Sequence, residues 1–251
     1  MKLHLILLFL LTTSLLPAQE KTPSPAKEPA KWETEIGAIE RLLQVSPDAP
    51  GGIVFTGSSS IRLWDLKKYF PDSVLANCGF GGSMIGDSTH FAPRLLFPLK
   101  PRLIVFYAGD NDSASGHSAA RIADDFQTFA KTIHTTLPDC RILYIPIKPS
   151  IAREKLLPLQ REANALIAQQ CTAQPARLQY LDLATPLLGK DGTLRPELYE
   201  KDGLHLSPAG YEIWSDLLRP ILADAKERRP VKVRSWLPQK NRPVKPPATS
   251  R

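Results

Sequence analysis

Five short apolar runs, spaced along the chain by helical and loop-like sequence, constrain its fold more than any other feature. They are Gly52–Thr56, Val74–Cys78, Leu103–Ala108, Ile142–Ile147 and Leu178–Leu183. Runs of this length suit strands buried on both faces. The intervening sequence repeats at helical spacing. Trp32–Val45 places Trp32, Ile36, Ile39, Leu42 and Leu43 on one stripe, and Ser118–Thr136 does the same with Ile122, Phe126, Phe129 and Ile133, continued by Leu137. Arg153–Cys171 and Pro208–Ala225 read as two more helices, the last with Ser207 as its N-cap. Strands alternating with helices imply parallel βαβ units, with helices on both faces of one sheet. The expectation is an α/β fold: a three-layer α/β/α sandwich around a five-stranded parallel sheet, over residues 32–225.

The ends of the chain read differently. Lys2 precedes an apolar stretch, Leu3–Leu16, followed by Pro17-Ala18 and the polar Gln19-Glu20-Lys21. This is the pattern of a signal peptide over residues 1–18, hence of an exported protein, periplasmic or secreted. The stretch is shorter than the ~20 residues of a membrane-spanning helix. Residues 19–31, rich in Pro, Lys, Ala and Glu, read as a linker. Residues 226–251 carry nine basic side chains and one acid, a net +8 against +7 for the whole chain, so the body sums to −1. Five prolines in this tail argue against regular structure, and its charge suits contact with an anionic surface. A near-neutral body gives no reason to expect nucleic acid as a partner. Cys78, Cys140 and Cys171 are odd in number and widely spaced, which reads as buried free thiols even though export permits disulfides. No His/Cys pattern calls for zinc.

In open parallel sheets, ligands bind beyond the carboxyl ends of the strands. The first run is followed by Gly57-Ser58-Ser59-Ser60-Ile61-Arg62, where a serine at a strand-to-helix turn is presented as a possible nucleophile. The second leads into Asn77-Cys78-Gly79-Phe80-Gly81-Gly82-Ser83, whose glycines let backbone N–H groups approach an anion. A dinucleotide fingerprint starting at Gly79 would need glycine where Met84 stands. The third is followed by Gly109-Asp110-Asn111-Asp112. A calcium loop starting at Asp110 would need Gly and Glu where Ser115 and Arg121 stand, whereas the Asn111 amide can donate to a developing oxyanion. Past the fifth run comes Asp202-Gly203-Leu204-His205, a spacing that lets the carboxylate fix the imidazole tautomer and leave the other ring nitrogen free as a base. Arg62, Trp64, Asn77 and Arg94 are further candidates to line such a site, each equally suited to packing or the surface, with Trp64 better suited to the core.

These four blocks, in this order, resemble the GDSL, or SGNH, hydrolase superfamily over about residues 51–222. The resemblance implies a flavodoxin-like fold and assigns Ser59 as nucleophile, Gly82 and Asn111 to the oxyanion hole, and Asp202 with His205 to the rest of a catalytic triad. Ser58 stands where the usual block has Asp, a form known from a G-S-S-S-I branch, and leaves Ser58 and Ser60 as alternatives to Ser59. The implied activity is carboxylic ester hydrolysis through an acyl-enzyme, without metal or organic cofactor. Lysophospholipids, short acyl esters and acetylated carbohydrates are its substrate classes, so the expected partner is a small-molecule or glycan ester. Short connections after the strands favour a small, open site and a short acyl group. Two alternatives remain: a carbohydrate O-acetyl esterase, and a non-catalytic binding protein on the same fold.

Overall fold

The computed structural model describes residues 29–44 and 51–227. The signal-peptide reading, most of the linker, Val45 and all but the first two residues of the basic tail lie outside that range. The five apolar runs form five strands: β1 (Ile53–Gly57), β2 (Leu75–Gly79), β3 (Leu103–Tyr107), β4 (Arg141–Tyr144) and β5 (Leu178–Tyr180). All pairings are parallel, in the order β2-β1-β3-β4-β5. The sequence order reverses at β1, so β1 and β3 leave the middle of the sheet side by side, the switch point at which such sheets bind ligands.

The alternation of side chains along each strand sorts the core into two layers. Val54, Ile104, Phe106, Ile142 and Tyr144 face one side. There they pack under α1 (Glu33–Gln44), α4 (Ile85–Leu95), α6 (Ala119–Thr136) and α7 (Leu157–Ala173). Phe106 and Phe129 stack there with centroids 4.1 Å apart. Ile53, Phe55, Leu103, Val105, Tyr107 and Leu143 face the other side. They are covered by two single-turn helices, α2 (Ser59–Arg62) and α3 (Leu66–Tyr69), and by α8 (Pro208–Glu227). Trp64 and Trp214 meet there at 5.4 Å, and Trp214 donates to the Leu183 carbonyl at 2.8 Å. α5 (Asp110–Ala114) is a short helix following β3.

The strand expectations hold to within a residue at their starts. The last two strands end earlier than their apolar runs, because Ile145–Ser150 and Leu181–Leu183 continue as irregular chain. The helix expected from Arg153 begins at Leu157 instead, after a 3-10 segment, Ile151–Leu156, in which Arg153 is non-helical. Pro158 explains the start: it fits the first turn of a helix, while further inside it would clash with the carbonyl four residues earlier. The linker expectation is likewise shortened, since Pro29–Trp32 forms a 3-10 turn leading into α1. Ser118 caps α6, accepting from the Arg121 amide at 3.2 Å, and Ser207 Oγ lies 3.4 Å from the Gly210 amide at the start of α8. All three cysteines are free and buried, and burial pushes the Cys78 thiol up to about 12. Among the described residues, no helix is long and apolar enough to cross a membrane.

Candidate active site

The turn from β1 into α2 is built around Gly57. Its φ is +129°, and a Cβ there would lie 1.9 Å from the Tyr107 carbonyl oxygen. Only glycine permits that approach, which lets the Ser58 amide donate to the same carbonyl at 2.9 Å. The chain then enters α2 at once, leaving Ser59 partly exposed at its first position while Ser58 and Ser60 are each 2% exposed. Of the three serines, Ser59 is the one whose hydroxyl meets the histidine: Ser59 Oγ and His205 Nε2 are 2.9 Å apart.

His205 is fixed from its other side. Asp202 Oδ2 lies 2.6 Å from Nδ1, and Asp202 Oδ1 accepts from the Leu204 and His205 amides at 2.9 and 3.0 Å. Desolvation works against ionising Asp202, yet the imidazole and the two amides outweigh it and hold the carboxyl down at about 2. A carboxylate at Nδ1 places the proton on that nitrogen and leaves Nε2 to accept from Ser59. The loop carrying the pair is anchored at depth by Lys148, which is fully buried after β4 and donates to the Leu204 carbonyl at 2.7 Å.

The two oxyanion candidates follow β2 and β3, the strands on either side of β1. Gly82 is exposed, with φ +69°, and a Cβ there would meet nothing within 4 Å, so its backbone borders open space. Asn111 is the second residue of α5, the short helix after β3. Its amide nitrogen donates to the Ser83 carbonyl at 3.0 Å, and its Oδ1 accepts from Arg153 Nη2 at 3.0 Å. Asp110, just before it, has its carboxylate 2.6 Å from Arg153 Nη1 and 3.7 Å from Lys148 Nζ. The acidic character that invites a calcium reading of this loop is thus answered by two side-chain cations.

Other residues considered from sequence are placed elsewhere. Trp64 is 1% exposed and belongs to the core, and Arg94 pairs with Glu33 and Glu40 of α1. Asn77 holds backbone: its amide donates to the Ile61 carbonyl at 2.8 Å and its oxygen accepts from the Gly79 amide at 2.9 Å. Arg62 remains half-exposed, 3.6 Å from Glu35. Arg153 and Lys148 are what sequence reading missed. Lys148 had a usable signal, being a charged residue directly after the fourth apolar run. Asp112, His117 and Asp125 form a further group not anticipated from sequence, with potential ligand atoms within 4.8 Å of one another. Arg121 already holds Asp125 at 2.8 Å.

A groove of about 380 Å³ borders His205, lined by Leu63, Asp65, Lys68, Tyr69, Glu200, Leu206 and Tyr211. A larger depression of about 590 Å³ around Gln127, His134 and Gln174 lies away from these groups. The chemistry therefore points to the smaller concavity.

Residues 60–213 match the model of the GDSL-like lipase/acylhydrolase family. No curated protein sequence matches the chain. Among solved structures, a protein from Streptococcus pneumonia described provisionally as a platelet activating factor is 22% identical, with a TM-score of 0.67 over 76% of this chain and 93% of that one. A GDSL-like lipase from Bacteroides thetaiotaomicron VPI-5482 is 19% identical, with a TM-score of 0.61 over 79% and 98%. A catalytic mutant of an acetylxylan esterase from Geobacillus stearothermophilus is 15% identical, with a TM-score of 0.55 over 69% and 95%. At such identities the likeness speaks for the fold alone.

Proposed function

The chain belongs to the GDSL-like lipase/acylhydrolase family, and from that premise we propose that it is an exported serine esterase that hydrolyses carboxylic esters through an acyl-enzyme. The observation that carries this reading is the single imidazole joining Ser59 at 2.9 Å to Asp202 at 2.6 Å. Ser59 attacks the ester carbonyl as His205 Nε2 takes its proton, and Asp202 steadies the imidazolium. The tetrahedral oxyanion lies among the Ser59 and Gly82 amides and the Asn111 side chain. Collapse expels the alcohol, which receives the proton from His205, and water repeats the sequence to release the acid.

The alcohol must leave on the side of His205, since that residue protonates it. The groove there is lined by the apolar and aromatic side chains of Leu63, Tyr69, Leu206, Pro208 and Tyr211, with Asp65, Lys68 and Glu200 among them. The short connections after the strands, which leave the site small and open, favour a short acyl group, and a carbohydrate O-acetyl ester is one substrate of that kind. Export is supported by the leader pattern at the amino terminus, and a mature chain beginning near Gln19 is its check.

An ester panel tests the proposal: p-nitrophenyl acetate, butyrate and palmitate, acetylated xylan oligosaccharides and lysophosphatidylcholine, each with wild type and Ser59→Ala. Hydrolysis of the short esters and of the acetylated glycan, absent in Ser59→Ala, is expected. Equal turnover by Ser59→Ala would remove Ser59 from the chemistry, and preference for palmitate or the lysolipid would overturn the short-acyl reading.

A further inference from the structure

Asn111 can serve an oxyanion only if its amide is turned the right way and stays there. An asparagine side chain has nearly isosteric ends, one donating and one accepting. If it flips, a lone pair faces the developing negative charge where an N–H should be. Two contacts in this structure oppose that flip from opposite sides. The Ser83 carbonyl can only accept, so it selects the NH2 end, at 3.0 Å. The Arg153 guanidinium can only donate, so it selects Oδ1, also at 3.0 Å. With one amide hydrogen taken by Ser83, the second remains for the oxyanion.

We propose that Arg153 is the positioning residue of the oxyanion hole, holding the Asn111 amide in its donating orientation. Rigid placement of Arg153 follows from its surroundings. Its guanidinium is braced at 2.6 Å by Asp110, its side chain is only 17% exposed, and Asp110 itself accepts from Gln160 at 3.2 Å. Lys148 lies on the far side of Asp110 at 3.7 Å and bonds the Leu204 carbonyl at 2.7 Å. One carboxylate thus stands between two cations. One cation touches the oxyanion asparagine, and the other touches the loop that carries Asp202 and His205. Arg153 sits in the only non-helical conformation within its 3-10 segment (φ −127°, ψ 26°). The segment bends there, at the residue that reaches Asn111.

This inference rests on the esterase reading of the same site, and its test separates the two. Arg153→Met, Arg153→Lys and Asn111→Ala are compared with the double variant Arg153→Met/Asn111→Ala, using the short ester that wild type turns over best. Because Arg153 acts through Asn111, the loss in Arg153→Met is bounded by the loss in Asn111→Ala. A fall of about 10- to 100-fold in kcat is expected, with KM within about threefold, since removing one oxyanion donor costs about 10²–10³ in kcat. Arg153→Lys, which keeps the charge but not the two-armed donor, should recover part of the rate. In the Asn111→Ala background the same substitution should cost nothing further. A full additive loss there, a loss borne by KM, or no loss at all would overturn the proposal.

The second measurement needs no turnover. The side-chain amide signals of Asn111, identified by their disappearance in Asn111→Ala, are followed in a ¹⁵N–¹H correlation spectrum. Arg153→Met should shift or broaden them while backbone signals of the distant β5 strand stay in place. Unchanged Asn111 signals would overturn the positioning role even if the protein proved to hydrolyse no ester. Conversely, a wild type no faster than Ser59→Ala would defeat the esterase reading and leave the spectral result to decide the role of Arg153.

Discussion

Asp202 and Asp112 stand beside the two halves of one site, and their surroundings are opposite. Asp202 has a side chain 49% exposed, lies three residues from its histidine, and is held down at about 2 by hydrogen bonds gathered within one turn of chain. Asp112 follows Asn111 and is fully buried. Desolvation raises it to about 7, reinforced by Asp125 and Asp87 and opposed by the Ile85 amide. The base half is assembled locally and faces water. The other half is assembled from distant segments, Ser83 and Arg153 around a part-buried Asn111. A base needs solvent access to exchange protons, whereas an oxyanion donor gains strength from low dielectric and from partners that do not reorganise.

That contrast can be broken at several points. The largest effect is expected on the base half. Asp202→Asn removes the acceptor that fixes the tautomer of His205 and should lower kcat by about 10²–10⁴-fold, below the full triad penalty because this carboxylate is half-exposed. Initial rates across substrate concentration check it, and a variant within twofold of wild type would make Asp202 dispensable. Next comes Asn111→Ala, with a fall of about 10²–10³-fold in kcat, about 3 kcal/mol, at little change in KM. If the loss appears in KM instead, Asn111 binds ground-state substrate and the two halves differ less than described.

The smallest effect concerns stability and its sign. Asp112 has its folded pKa raised above the unfolded value of 3.8. The native state therefore binds the proton more tightly, and the stability this contributes is present below about pH 4 and lost as pH rises through about 7. Asp112→Asn cannot ionise, so its Tm relative to wild type should improve by a few °C between pH 5 and pH 8. Thermal melts at the two pH values check this, and parallel curves would show that Asp112 is ionised at both.

The same division decided what could be read from sequence. The strands were legible because burial on both faces leaves uninterrupted apolar runs, and the Asp202/His205 pair because its geometry is a matter of spacing within one turn. The ambiguity among Ser58, Ser59 and Ser60 is one the sequence could not resolve by chemistry. In the fold, Gly57 and the tight entry into α2 leave Ser59 partly exposed beside His205 and bury Ser58 and Ser60. Arg153 was hidden because its contact with Asn111 spans 42 residues and sits in a segment whose pattern reads as helix. Asp112, His117 and Asp125 come together only when α5 and α6 pack, so their separation along the chain carries no metal-ligand spacing.

Labelling with a fluorophosphonate probe, located by peptide mass spectrometry, tests most directly whether Ser59 is a nucleophile activated by His205. The predicted result is a single adduct on Ser59, formed at a rate that collapses in His205→Ala and in Asp202→Asn. An adduct on Ser58 or Ser60, or labelling of Ser59 that is indifferent to His205, would contradict it.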